Sequence, residues 1–214
     1  MNTAQAMDRM YRYQRYIYDF TRKYYLFGRD TLIQRMDLQP GQQVLEVGCG
    51  TGRNLYLLAK RHPQVQFFCL DASQAMLETA ANKLKHKTNV RLQQGLAQEV
   101  YYRDHFQLQQ AFDVVFFSYA LSMIPSFRDA LHRALDNLKP QGHLYIVDFY
   151  DQGGWPTWFR KLLQSWLARF GVQHDPALPA YLQALHEQGH GQLQIDSLGG
   201  RYAFIAHFRK SGEA

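Results

Sequence analysis

Val44-Leu45-Glu46-Val47-Gly48-Cys49-Gly50-Thr51-Gly52, followed 19 residues after Gly52 by Asp71, constrains this chain more than any other stretch. It reads as a buried strand, a glycine-rich turn, a helix and a second strand, Val65 to Leu70, ending in an acid. Glycines let a backbone turn tightly and approach a ligand with no Cβ in the way, and the following helix offers free N–H groups. An acid at the tip of the next strand is placed to accept hydrogen bonds from both hydroxyls of a ribose. A nucleoside-containing cofactor is the first expectation.

The glycine spacing narrows the choice. The run is G-x-G-x-G, whereas a dinucleotide fingerprint is G-x-G-x-x-G, and its last glycine is replaced here by Arg53. A phosphate-binding P-loop needs Gly-Lys-Ser/Thr, which Gly52-Arg53-Asn54 does not supply. Glu46, just ahead of the glycines, would repel a pyrophosphate but suits a cofactor with a cationic end, such as the ammonium and sulfonium of S-adenosylmethionine.

With those residues in view, E-V-G-C-G-T-G plus Asp71 resembles motif I and the post-motif acid of class I S-adenosylmethionine-dependent methyltransferases. Phe112 to Ser118 looks like their fourth strand, and Leu138-Lys139-Pro140-Gln141-Gly142 with the run to Asp148 like their fifth. Strands are expected at 43–47, 65–70, 89–94, 112–118 and 142–149, and helices at 52–61, 73–84, 127–138, 155–170 and 176–188. Alternation of that kind implies an α/β fold with parallel strands and crossover helices. Gln192 to Ile195 and Tyr202 to Phe208, around Gly199-Gly200, form an expected final hairpin. The resemblance implies a Rossmann-like, seven-stranded, mostly parallel sheet of order 3-2-1-4-5-7-6, with an antiparallel C-terminal hairpin and an N-terminal helical lid. The expected division is a lid over 1–36 and a methyltransferase domain over 37–214, a single domain overall.

Ahead of motif I, Tyr11, Tyr13, Tyr16, Tyr18, Phe20, Tyr24, Tyr25 and Phe27 are interleaved with Arg9, Arg12, Arg15, Arg22, Lys23 and Arg29. Two helices broken near Phe27-Gly28 are expected. Met7, Tyr11, Tyr18 and Tyr25 share one face, so the segment reads as a basic amphipathic helix that can lie on an anionic membrane surface, or as a stripe packing on the sheet. Residues 1–36 hold six Arg and one Lys against three Asp, which is +4 of the chain's net +6. No nucleic-acid readout module is recognisable. No run of apolar residues is long enough to cross a membrane, and the N-terminus lacks the apolar core of a signal peptide. Two cysteines, Cys49 and Cys69, suggest a reduced cytoplasmic protein without disulfides, and the basic aromatic segment suggests one that is peripheral on the inner face of a membrane.

More closely, Tyr11 to Asp30, Ser118 to Pro125 and Ile146 to Phe149 resemble the N-methyltransferases of betaine-lipid synthesis. That resemblance implies trimethylation of the amine of diacylglyceryl-homoserine, with S-adenosylhomocysteine as by-product. Phosphatidylethanolamine, a quinone precursor or a soluble amine stay open as acceptors, as does a non-catalytic cofactor-binding scaffold; oligomeric state is not legible.

The expected cofactor residues are Glu46, Gly48, Cys49, Gly50, Asp71, Ala72, Met76, Leu96, Ala97 and Ser118. Methyltransferases often carry an acid after the third strand; here Gly95-Leu96-Ala97-Gln98 offers only Gln98. Tyr18, Tyr25 and Tyr119 are candidates to hold a methylated ammonium by cation–π contact, and Asp148 to orient the amine or take its proton through water. Arg22, Arg29 and Ser122 are candidates for the acceptor, the arginines for its carboxylate. No metal is expected: His186-Glu187-Gln188-Gly189-His190 fits H-E-x-x-H, but Gly189 falls at an expected helix end.

Overall fold

A computed structural model of the chain describes residues 26–158, 160, 162, 165 and 177–212. Seven strands are found among them: β1 Gln43–Val47, β2 Gln66–Asp71, β3 Val90–Gln94, β4 Phe112–Ser118, β5 Leu138–Phe149, β6 Gly191–Leu198 and β7 Ala203–Lys210. The helices are α1 Arg29–Arg35, α2 Arg53–Arg61, α3 Gln74–Leu84, α4 Tyr102–Phe106, α5 Phe127–Asp136 and α6 Ala177–Glu187. Thr157, Trp158, Arg160, Leu162 and Ser165 are also helical, on the segment expected at 155–170. Of the expected lid, residues 1–25 lie outside the described residues. Within its described part, 26–36, Leu26, Leu32, Ile33 and Met36 are buried in the same core as the strands.

The strand order is β3-β2-β1-β4-β5-β7-β6, with β1 to β5 mutually parallel and β7 antiparallel to both of its neighbours. β1 and β4 read as near-continuous apolar runs because helices cover both faces. α1, α2 and α3 close one core, holding Val44, Phe67, Val114 and Phe116; α5 and α6 close the other, over Leu45, Phe68, Val115 and Phe117. α5 buries Phe127, Ala130, Leu131, Ala134 and Leu135, the i, i+3, i+4, i+7 and i+8 positions of one stripe. β5 begins four residues before the expected Gly142, but its pairing with β4 shifts register between Phe112 and Val114, and Gln141 is left-handed at φ 62°. The expected Pro-x-Gly turn is therefore present as an irregularity inside a longer strand.

α6 ends at Glu187 and Gly189 takes φ 81°, so His186 and His190 do not share one continuous helical face; the His186 ring instead meets the Gly191 carbonyl at 2.8 Å.

Candidate functional site

Parallel strands leave their carboxyl ends on one side, and the change of direction beside β1 opens a crevice there. The loops after β1, β2, β3 and β4 converge on that crevice and line a mostly apolar cleft of about 220 Å³.

All three glycines of the loop are left-handed: Gly48 at φ 74°, Gly50 at 54° and Gly52 at 72°. That alternation is the physical content of the G-x-G-x-G spacing, since a side chain in this region strains the backbone. Two also make close approaches. A Cβ on Gly48 would sit 2.6 Å from the Ala120 Cβ, and one on Gly52 would sit 2.8 Å from Leu84 Cδ1 and 3.1 Å from the Ala80 Cβ. Gly52 thus lets α2 begin against α3. Gly52→Ala is expected to destabilise the fold by about 2–4 kcal/mol, from left-handed strain plus overpacking. Urea denaturation checks this: the midpoint falls at unchanged slope, and an unchanged midpoint refutes the packing account.

The loop is held in place by Asp71. Its Oδ2 accepts the Gly50 N–H at 2.7 Å and its Oδ1 accepts the Ser73 N–H at 2.9 Å. The Gly48 and Cys49 N–H groups donate to the Leu70 carbonyl at 2.8 and 3.2 Å, tying the same loop to the end of β2. Each carboxylate oxygen has further lone-pair capacity, so Asp71 can brace the loop and still accept from a ligand.

Glu46 lies beneath the loop, 1% exposed, and does not line the cleft itself. Asn54, the second residue of α2, donates to its Oε1 at 2.7 Å. Glu46 Oε2 and Asn54 Oδ1 are buried with no hydrogen-bond partner, an arrangement folded proteins avoid without a use for it. Burial pushes the Glu46 carboxyl up to about 8, against the opposing pull of the Asn54 amide and the Arg29 charge. Asn54 was not singled out in the sequence. Its signal was a polar residue on the buried stripe 54, 55, 58 and 59 of α2.

Gly48, Gly50, Asp71, Ala72, Met76, Leu96, Ala97 and Ser118 line the cleft as expected of them, with Gln98 beside them. Cys49 does not: it points into the core, where it is joined to Cys69 as a disulfide across a Cα–Cα distance of 5.7 Å. The expectation of two reduced thiols is corrected, because the loop after β1 folds back on the end of β2, with the Gly48 and Cys49 N–H groups on the Leu70 carbonyl, and so brings Cys49 beside Cys69.

After β4 the chain turns sharply through Tyr119, at φ 55°. Tyr119 lines the cleft, but its ring packs edge-on against Phe149 at 4.7 Å and its hydroxyl donates to the Phe27 carbonyl. Tyr119 thereby also braces the cleft wall against the chain entering α1. Arg29, at the start of α1, does not line the cleft; its charge acts on Glu46 and Tyr119 together.

Asp148 is fully buried and outside the cleft lining. Its carboxylate accepts the Ser122 N–H at 3.1 Å and the Phe149 N–H at 2.8 Å. Burial raises it to about 6 while these bonds pull it down. Through these bonds Asp148 holds the single turn at Leu121–Met123, and Ser122 is part of that anchor. Met123, Ile124 and Pro125 on the far side of the turn form the apolar wall. Tyr18, Tyr25 and Arg22 lie outside the described residues.

A family model described as Methyltransferase domain (Methyltransf_31) matches residues 38–194. The chain belongs to this methyltransferase family. Among its relatives, a trans-aconitate 2-methyltransferase of Deinococcus radiodurans is 35% identical over 108 residues, 50% of this chain and 38% of that protein. A demethylmenaquinone methyltransferase of Corynebacterium glutamicum is 34% identical over 139 residues, 62% of this chain and 54% of that protein. The chain thus spans about half the length or less of these two relatives. In fold it is similar to the phosphoethanolamine N-methyltransferase 2 of Haemonchus contortus solved with S-adenosyl-L-methionine, at TM-score 0.69, 14% identity and coverage of 87% and 52% of the two chains. The YcgJ protein of Bacillus subtilis superposes at TM-score 0.66 and 19% identity, covering 87% of this chain and 99% of that one.

The methyltransferase cleft fits S-adenosylmethionine on its own residues. Asp71 would hold the ribose hydroxyls and the Gly48–Gly50 backbone would lie against the ligand. Met76, Leu96 and Ala97 would flank the adenine, and the orphaned acceptors on Glu46 and Asn54 match the donors of an ammonium.

Proposed function

We propose that the chain is an S-adenosylmethionine-dependent N-methyltransferase acting on a lipid head-group amine, with the diacylglyceryl-homoserine amine as first candidate. The observation that carries the amine reading is the chemistry of the cleft wall. Among the described lining residues Asp71 is the one charged group, and its carboxylate is engaged by two backbone N–H groups. Among the described residues no histidine or second carboxylate lines the cleft. That lining suits an acceptor that brings its own lone pair, as an amine does once solvent has taken its proton. The cofactor supplies a methyl group already activated on a sulfonium. What the protein's own residues do is align and exclude water: Asp71 and the glycines fix one end, while Tyr119, Met123 and Ile124 shape a dry wall against the acceptor. The lipid part of the reading is supported by the resemblance in Tyr11–Asp30 and by the basic, aromatic character of that segment.

A second reading, methylation of a quinone precursor, is favoured by the demethylmenaquinone relative and by the apolar wall at Met123–Pro125. Labelled-methyl transfer to total lipid extract, with products separated by mass, decides between them. The leading reading expects label on an amine-bearing lipid, in steps of one methyl. Label confined to a quinone selects the second reading, and no labelled lipid with a soluble amine labelled instead removes both.

A further inference from the structure

We propose that the helix following β5 docks on an anionic lipid surface, beside the Gly199 turn, through Phe27, Trp158 and Leu162. It does not rest on the proposed function, and its test needs no methyl transfer. Soluble proteins rarely gather large exposed apolar groups in one place. Among the described residues the exposed large hydrophobics are Phe27 at 55%, Tyr56 at 39%, Trp158 at 71% and Leu162 at 62%. Three of these four converge. Trp158 and Leu162 are one turn apart, so they lie on one face of their helix.

The start of that helix is fixed by Trp155, whose indole N–H donates to the Gly199 carbonyl at 2.8 Å and whose ring lies 6.0 Å from Tyr202. Phe27 reaches the same hairpin: its ring comes within 3.5 Å of where a Gly199 Cβ would be. The Phe27 carbonyl in turn accepts the hydroxyl of Tyr119, which lines the cleft. From Thr157, two residues beyond Trp155, to Leu162 is a helical rise of about 8 Å. Phe27, Trp158 and Leu162 are therefore gathered on the side of the fold that carries the Gly199 turn.

Charge selects the occupant. Between Asp151 and Asp175 the sequence carries Arg160, Lys161 and Arg169 and no acidic residue. An apolar face in a stretch whose charged residues are all basic is the composition of interfacial helices that bind anionic bilayers, with indole rings at the headgroup level. A protein groove would be expected to meet charges of both signs.

The chain's three tryptophans, Trp155, Trp158 and Trp166, all lie in this segment, so intrinsic fluorescence reports on it alone. Full-length protein is titrated with vesicles of mixed phosphatidylglycerol and phosphatidylcholine and, separately, of phosphatidylcholine alone. The expected result is a blue shift and higher intensity with the anionic vesicles only. The Trp158→Gln/Leu162→Gln variant should lose roughly tenfold or more in partition, as measured by flotation, with its S-adenosylmethionine affinity unchanged. Flotation with no spectral shift would mean that another surface binds, and would overturn the proposal. An equal shift on phosphatidylcholine alone, or a double variant that partitions like the parent, would overturn it too.

Discussion

Asp71→Ala is expected to weaken S-adenosylmethionine binding by at least about 100-fold. Hydrogen bonds to a charged group contribute about 1.5–3 kcal/mol each, and two ribose hydroxyls would lose their acceptor together. The variant also removes the acceptor of the Gly50 N–H at 2.7 Å and of the Ser73 N–H at 2.9 Å, so the loop after β1 loses its tie to β2. Both effects act in the same direction on affinity, and a second variant separates them. Asp71→Asn keeps one carbonyl oxygen to brace the loop but replaces the other with a donor. It should recover much of the thermal stability lost in Asp71→Ala and little of the affinity. Titration calorimetry with the cofactor, beside thermal unfolding of the ligand-free protein, reads the two quantities independently. Unchanged affinity in Asp71→Ala would remove Asp71 from the cofactor site altogether.

The expected parallel run agrees with the structure because it rests on long, strongly patterned segments, whereas the strand order, which also agrees, was implied by the family resemblance and not by the pattern. Phe112–Ser118 is buried along nearly its whole length, and a run of that kind reads as a core strand whatever surrounds it. The cofactor loop was legible for a different reason. Left-handed backbone at three alternating positions leaves glycine as the residue of choice, so the geometry is written directly into residue identity. The features that escaped depend on partners distant in sequence. α4, Tyr102–Phe106, is too short to show a period, and its first N–H is capped by the side chain of Asn137, 35 residues on. The turn at Leu121–Met123 is held by Asp148, 26 residues away from Ser122, an anchoring contact that no local pattern reveals. The bond from the Tyr119 hydroxyl to the Phe27 carbonyl is of the same kind: it spans 92 residues and follows from a left-handed backbone at Tyr119.

Glu46→Gln is expected to make the ligand-free protein more stable at alkaline pH while weakening its cofactor affinity about 10- to 100-fold. The Glu46 carboxyl, raised to about 8 by burial, keeps its proton in the folded protein at neutral pH, whereas in the unfolded chain it ionises near its ordinary 4.5. Between those two values the folded state binds the extra proton, so stability falls as pH rises from about 5 to 8. Glutamine has no such proton to lose, yet its amide oxygen can still accept from Asn54. The variant should therefore show a flatter stability profile over that window, with the largest gain above pH 8. Cofactor binding reverses the balance. An ammonium beside Oε2 favours the ionised carboxylate, so binding at neutral pH should release up to about one proton, and affinity should rise with pH toward 8. In Glu46→Gln the proton release from this site disappears and the affinity loses that dependence. Calorimetry in buffers of different ionisation enthalpy measures the released proton, and urea denaturation across the same pH range measures the stability. If the variant binds as tightly as the parent and releases the same number of protons, the buried carboxylate does not serve the cofactor's cationic end. A stability profile that stays steep in the variant would place the titrating group elsewhere.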